Sequence, residues 1–159
     1  MDLRIGLGFD VHALENGRKL VLGGVEIDHY KGCVAHSDGD VLIHAICDAL
    51  LGAANLRDIG YHFPDNDDSF KNIDSKILLQ KTKNIIQKAN YSIVNIDSVI
   101  LLQKPKIKDI IPQMQSTLAK VLEISEEIIS IKATTTEKLG FEGREEGISA
   151  QAIVLLRKI

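Results

Sequence analysis

Residues Asp40 to Ala54 read DVLIHAICDALLGAA, a run that is apolar around most of its circumference, as expected of a helix buried on several sides. Its three polar members, Asp40, His44 and Asp48, recur at i, i+4 and i+8 and therefore share one face. A helix this apolar needs other layers to cover it, and the flanking sequence supplies them. Upstream, Leu3 to Phe9 predicts a short strand in which Gly6 and Gly8 permit close backbone approach. Lys19–Leu22 and Val25–Ile27 face each other across Gly23-Gly24, a strong two-residue hairpin signal. Downstream, a second helix is predicted from Asp74 or Ser75 to about Asn90, with Ile77, Leu78, Lys81, Ile85 and Ala89 near helical spacing. A strand over Ser92–Leu102, a helix over Ile110–Leu122 with Pro112 in its first turn, and strands over Ile128–Ala133 and Ile148–Leu156 complete the order. The pattern is mixed α/β, with hairpin strands early and strand-helix-strand units late. Asn55 to Ile73 is acidic, contains Gly and Pro, and is too long for a mere connector; such loops are often functional.

The chain has 159 residues, enough for one domain burying roughly 70% of its unfolded surface, and neither a linker nor a solenoid-period repeat divides it. Apolar residues make up 45% and charged residues 26%, a globular balance. The net charge is −3 and the lysines are scattered among acids, so a nucleic-acid partner is not expected. Two cysteines are too few for a disulfide framework. The N-terminus MDLRIGLGFDVH shows no secretory leader, and no apolar run reaches the roughly 18 residues of a membrane span. A cytoplasmic protein without a membrane partner is expected.

Chemistry-bearing side chains gather in three places. Asp10-Val11-His12 follows the first strand; in extended backbone residues i and i+2 project to one side, so a carboxylate and an imidazole could grip one ion. His44 is the natural third ligand, leaving a fourth tetrahedral position open, with Asp48 available to orient the helix or its histidine from behind. A rival arrangement exists: Cys33-x-x-His36 and His44-x-x-Cys47 match a closed Cys2His2 structural zinc site. Within AHSDGDVLIH (35–44), Ser37, Asp38 and Asp40 also serve as ordinary N-cap residues and Gly39 as a turn. The second place is KATTTEKLG (132–140), where three hydroxyl residues with free amides could cradle phosphate and Glu137 could hold a hard cation. The same string reads as a capping box, Thr134-x-x-Glu137, with Gly140 ending the turn. The third, Lys104-Pro105-Lys106-Ile107-Lys108, could neutralise phosphate or be a solvated loop.

Taken together, GFDVHAL (8–14), GGV (23–25), AHSDGDVLIHAICDALLGAA (35–54), DIGYHFPD (58–65), QKPKI (103–107) and KATTTEKLGFEGR (132–144) resemble, in order and spacing, the 2-C-methyl-D-erythritol 2,4-cyclodiphosphate synthase family. The resemblance covers essentially the whole chain. It implies one domain over residues 1–159: a two-layer fold with helices on one face of a mixed sheet, assembling as a homotrimer with interfacial active sites. It implies a CMP-releasing phosphorus-oxygen lyase of the non-mevalonate isoprenoid pathway, acting on a cytidine diphosphate-type substrate. By resemblance, Asp10, His12 and His44 would bind Zn2+, Glu137 would help hold a second cation, Mg2+ or Mn2+, and His36 and Thr135 would stabilise the transition state. Ser37, Asp58, Ile59, Gly60, Phe63, Pro64 and Asp65 would contact the methylerythritol and ribose portions. Leu102, Gln103, Lys104, Pro105, Lys106, Ile107 and Lys108, with Thr134 and Thr136, would frame cytosine and phosphates; Phe141 and Arg144 match further substrate positions. Glu145 stands where the family commonly has a small residue such as glycine.

Overall fold

The computed structural model describes residues 2–64 and 66–159. Its centre is a five-stranded sheet in the order β4-β1-β7-β5-β6, with β1 at Leu3–Asn16, β4 at Lys31–Cys33, β5 at Tyr91–Leu101, β6 at Ile129–Thr134 and β7 at Gly147–Lys158. The β1–β4, β1–β7 and β5–β7 pairs are antiparallel and β5–β6 is parallel, giving the mixed sheet. Strands β2 (Leu20–Leu22) and β3 (Val25–Ile27) form the expected separate hairpin. Gly23 and Gly24 both take positive φ, 58° and 75°, as its two-residue turn requires.

The decisive helix, α1, spans Val41–Ala53. It packs on β1 and β7 beneath α3 (Ser75–Lys88), so almost its whole circumference is buried and its apolar belt is explained. The contact with β1 is tight because β1 offers no side chain there. A Cβ added to Gly8 would stand 1.8 Å from the Ala45 carbonyl oxygen, and one added to Gly6 would stand 1.9 Å from that of Ala49. Glycine on the strand and alanine on the helix thus let the backbones touch, and this brings the helix residue His44 within reach of the strand residues Asp10 and His12.

Asp40 caps α1 by accepting from the Ile43 amide, and the same carboxylate accepts from Gly23 N at 3.0 Å and Gly24 N at 2.6 Å. It therefore pins the β2–β3 hairpin over the helix start instead of facing the His44 side as the i, i+4 spacing suggested. α3 begins at Ser75 as expected, but its buried face is Ser75, Leu78, Leu79, Thr82, Lys83 and Ile86. Ile77 and Lys81, counted in the expected stripe, are exposed: the helix is rotated relative to that stripe, and Lys83 is accommodated by a 2.6 Å bond to Glu123 at the end of α4 (Ile111–Leu122). Helices α1, α3 and α4 line one face of the sheet. On the other face of β1, Leu3, Ile5, Leu7, Phe9 and Val11 stand in a row, joined by Ile153 of β7, with exposures up to 75% at Ile5.

Candidate metal and phosphate-binding site

Asp10 and His12 project from one side of β1 and His44 reaches them from α1. Asp10 Oδ2 lies 2.9 Å from His12 Nε2 and 2.9 Å from His44 Nδ1, and the two ring nitrogens are 3.2 Å apart. A tetrahedron with arms of about 2.05 Å has edges of about 3.3 Å, so the three atoms already stand near the corners of one face of a zinc-sized coordination sphere. Among the described residues this is the one group of three or more His, Cys, Asp or Glu that could hold a metal ion. Burial alone would raise the Asp10 carboxyl, but hydrogen bonds and charge from His12 and His44 outweigh it and bring it to about 2, an ionised carboxylate. Burial likewise works against a charged His44, yet the hydrogen bond and charge of Asp10 raise its pKa above the ordinary value.

The rival Cys2His2 arrangement does not form. Cys47 is fully buried in the core and Cys33 is also buried, and burial pushes both thiols up to about 12, far from thiolate ligands. The ring nitrogens of His44 meet Asp10, Ser37 and Ser75, and the metal-capable group it joins contains Asp10 and His12 and neither cysteine.

The three ligands open into a cavity of about 270 Å³ lined also by Ala35, His36, Ser37, Asp48, Ile59, Gly60, Phe63, Phe70, Ile73 and Leu78. His36 Nε2 is buried here without a hydrogen-bond partner, a polar atom that a ligand can satisfy. Asp48 accepts from the Ile59 amide at 2.8 Å and so ties the start of α2 (Ile59–His62) to the pocket wall. Asp58 does not line the cavity; it caps α2 by accepting from Tyr61 N at 2.9 Å. Pro64 does not line the cavity either, and the expected contact at Asp65 lies outside the described residues.

Behind His44 are two residues whose role the sequence did not disclose. Ser75 Oγ lies 3.0 Å from His44 Nε2 and donates to Asp38 Oδ1, while Ser75 N donates to Asp38 Oδ2 at 2.9 Å. Asp38 was legible only as an N-cap candidate and Ser75 only as a helix start; 37 residues separate them.

A second cavity, also about 270 Å³, sits at the carboxyl ends of the parallel pair β5 and β6, where α/β sheets commonly bind ligands. Leu102, Gln103, Pro105, Lys106, Ile107, Lys108, Thr134 and Thr135 line it with Ile111 and Ala133. Lys138 N donates to Gln103 Oε1 at 3.3 Å, joining its two loops. The expected capping box is absent: Thr134 Oγ1 donates to the Thr135 carbonyl, and Glu137 accepts from Thr135 Oγ1 at 3.3 Å. Glu137 and Lys138 hold left-handed φ of 53° and 64°, which no helix start would use, and Gly140 opens the short α5 (Gly140–Gly143) instead of ending a turn. Thr136 donates to the Leu139 carbonyl across that turn.

Lys104, Phe141 and Arg144 line neither cavity. Lys104 pairs with Glu145 at 3.3 Å, Arg144 makes two 3.1 Å bonds to Glu146, and Phe141 packs against Gly147. Glu145 itself has φ of 58°, a left-handed backbone in which glycine is the unstrained choice; Tyr30 and Lys104 grip its side chain and Lys31 its carbonyl. The two cavities share no residue. Asp10, Ala150, Ile100 and Ala133 lie in one row across the sheet, so the two cavities lie three strand spacings, about 14 Å, apart.

The YgbB family model matches residues 3–157. A curated relative from Bacteroides fragilis (strain ATCC 25285), named 2-C-methyl-D-erythritol 2,4-cyclodiphosphate synthase, is 62% identical over 159 residues, with all of both chains covered. Among solved structures, the bifunctional IspDF of Campylobacter jejuni superposes with a TM-score of 0.96 at 46% identity over 99% of this chain, which spans 43% of that longer chain. The Plasmodium falciparum IspF complex with CDP gives 0.86 at 38% identity, covering 98% of this chain and 96% of that one. The metal-capable Asp10–His12–His44 trio and this full-length likeness converge: the chain belongs to the YgbB family, that of the 2-C-methyl-D-erythritol 2,4-cyclodiphosphate synthases.

Proposed function

We propose that the Asp10–His12–His44 pocket holds Zn2+ and, with the β5–β6 cavity of a neighbouring copy, carries the family's reaction. That reaction converts 4-diphosphocytidyl-2-C-methyl-D-erythritol 2-phosphate into 2-C-methyl-D-erythritol 2,4-cyclodiphosphate and CMP. An oxygen of the 2-phosphate forms a bond to the β-phosphorus as the bond to the oxygen bridging the α-phosphorus breaks, and CMP leaves with that oxygen. The nucleophile is already anionic, so no strong base is needed; positioning and charge neutralisation dominate. The observation that carries the reading is the convergence of three ligand atoms at the wall of a cavity wide enough for a diphosphate.

Bound Zn2+ supplies Lewis-acid neutralisation of β-phosphate charge. The chain's own residues do the rest. The unpartnered His36 Nε2 and the Thr135 hydroxyl donate to phosphoryl oxygens, and Ser37, with the 58–64 segment, orients the methylerythritol. Glu137 offers one exposed carboxylate, enough for Mg2+ or Mn2+ once substrate phosphates complete the sphere. Pro105, Ile107 and Ile111 give the second cavity an apolar wall suited to cytosine, flanked by Lys106 and Lys108. Phe141 and Arg144, outside both cavities of one chain, are assigned to substrate contacts completed in the assembly.

A homotrimer is part of the proposal. Each chain carries two half-sites about 14 Å apart, and the apolar row on the outer face of β1 is a surface that association would cover. Residues 1–159 act as one catalytic domain, in the cytoplasm; among the described residues no helix is long and apolar enough to cross a membrane. The test is product analysis by phosphorus NMR of the protein supplied with Zn2+, Mg2+ and the cytidylated phosphoester. A cyclic diphosphate with equimolar CMP is expected; inorganic phosphate instead would identify a metallohydrolase.

A further inference from the structure

We infer that Asp38 and Ser75 form a proton-ordered relay that fixes which nitrogen of His44 meets the metal and strengthens its binding. The order follows from donor and acceptor bookkeeping. Asp38 receives the Ser75 hydroxyl and the Asp40 amide (3.2 Å) at Oδ1 and the Ser75 amide (2.9 Å) at Oδ2, all donors, which is the pattern of an ionised carboxylate. Ser75 has one hydroxyl proton, and it is committed to Asp38. Its lone pairs therefore face His44 Nε2 at 3.0 Å, so Nε2 carries a proton. The remaining nitrogen, Nδ1, faces Asp10 and His12 and is the one left to give its lone pair to an ion there.

Ser37 Oγ also approaches Nε2, at 3.2 Å, and accepts from Gly39 N, but no carboxylate stands behind it to set its proton. Ser75 is fully buried and His44 is 6% exposed, so water does not replace this partner. The relay is braced by its frame: Asn72 N donates to the His36 carbonyl at 2.7 Å and Asp38 N to the Ile73 carbonyl at 3.1 Å. These bonds fasten the entry of α3 to the turn before α1. A carboxylate acting through a hydroxyl on a ligating imidazole raises its basicity, and loss of such a partner typically weakens metal binding about 10–100-fold.

The inference rests on the reading of Asp10, His12 and His44 as the metal site, and one experiment separates the two. Zn2+ dissociation constants are measured by competition with a chromophoric chelator for the wild type, Ser75→Ala and His44→Ala. Ser75→Ala is expected to bind Zn2+ at least about tenfold more weakly and His44→Ala to lose specific binding. His44→Ala binding like the wild type would overturn the metal site; His44→Ala failing while Ser75→Ala stays within about twofold of wild type would overturn the relay alone. Should Ser75→Ala not fold, imidazole nitrogen NMR of the zinc-loaded wild type decides. A slowly exchanging proton on Nε2 and a ligated Nδ1 are expected, and the reverse assignment overturns the relay.

Discussion

His44 is held from three directions, by Asp10 on β1, by Ser37 in the turn before α1 and by Ser75 at the start of α3. The hydroxyls of Thr134, Thr135 and Thr136 instead bond within residues 134–139, in an exposed turn with two left-handed residues. The contrast is one of preorganisation. A metal pocket needs its ligands fixed before the ion arrives, and burial against several elements does this within one chain. In the proposed assembly, a phosphate cradle at a subunit edge would be completed by substrate and partner, so local contacts suffice. On that proposal, metal binding belongs to the folded protomer and turnover to the assembly.

Placing a charge in the outer row of β1 gives the largest expected effect and the sharpest way to break this comparison. Ile5→Glu is expected to lower the sedimentation-derived mass to that of a monomer and reduce turnover at least about 10³-fold, because one half of the site is lost. Its Zn2+ affinity should stay within about threefold of wild type; a fall parallel to activity would mean that the metal pocket also depends on assembly. Next in size, Glu137→Ala should reduce kcat about 10²-fold, with raised Mg2+ demand and unchanged Zn2+ binding. Activity indifferent to this change would remove Glu137 from the chemistry.

The smallest effect is pH dependence, and it separates the metal-free from the metal-loaded pocket. Acid protonates His44 in competition with the ion, so Zn2+ affinity should fall about tenfold per unit below its raised pKa. Without metal the signs differ. Asp10, depressed from 3.8 to about 2, contributes stability above pH 3.8 that is lost as pH falls through 2. His44, raised above 6.5, and Asp40, raised by burial to about 6, contribute stability present at low pH and lost as pH rises through those values. The metal-free protein should therefore show its highest melting temperature near pH 4, where Asp10 is ionised and Asp40 still protonated, and lose stability towards pH 6 and again above 6.5, and added Zn2+ should move the maximum upward. Scanning calorimetry checks both; a maximum that ignores Zn2+ would show that the ion and these protons do not share a site.

Within the chain itself, the elements whose information is local were legible from residue order. Periodicity placed α1, α4 and the hairpin to within a residue or two, because buried faces and turn glycines announce themselves over short windows. The i, i+2 spacing of Asp10 and His12 survived into a continuous strand, Leu3–Asn16, longer than the short Leu3–Phe9 strand expected, and its glycines serve the close backbone approach expected of them. Readings that hung on a neighbour distant in sequence were not legible. The side of α3 that is buried depends on where α1 and α4 lie, so Ile77 and Lys81 could not be told from Leu79 and Lys83 by spacing alone. Cys33, His36, His44 and Cys47 satisfied a zinc spacing that helix orientation then dismantled.

What the sequence by itself determined, therefore, was the inventory: the helices, the hairpin, the metal-capable trio and the resemblance that names the family. What only the tertiary structure decided was the company each residue keeps. Asp40 went to the hairpin, Glu145 to Tyr30 and Lys104, and Ser75 joined Asp38 behind His44 across 37 residues. The physical reason is range. Turn and helix preferences act through the nearest few residues, whereas a hydrogen bond between distant segments exists only after the sheet and its helix layer have set their register.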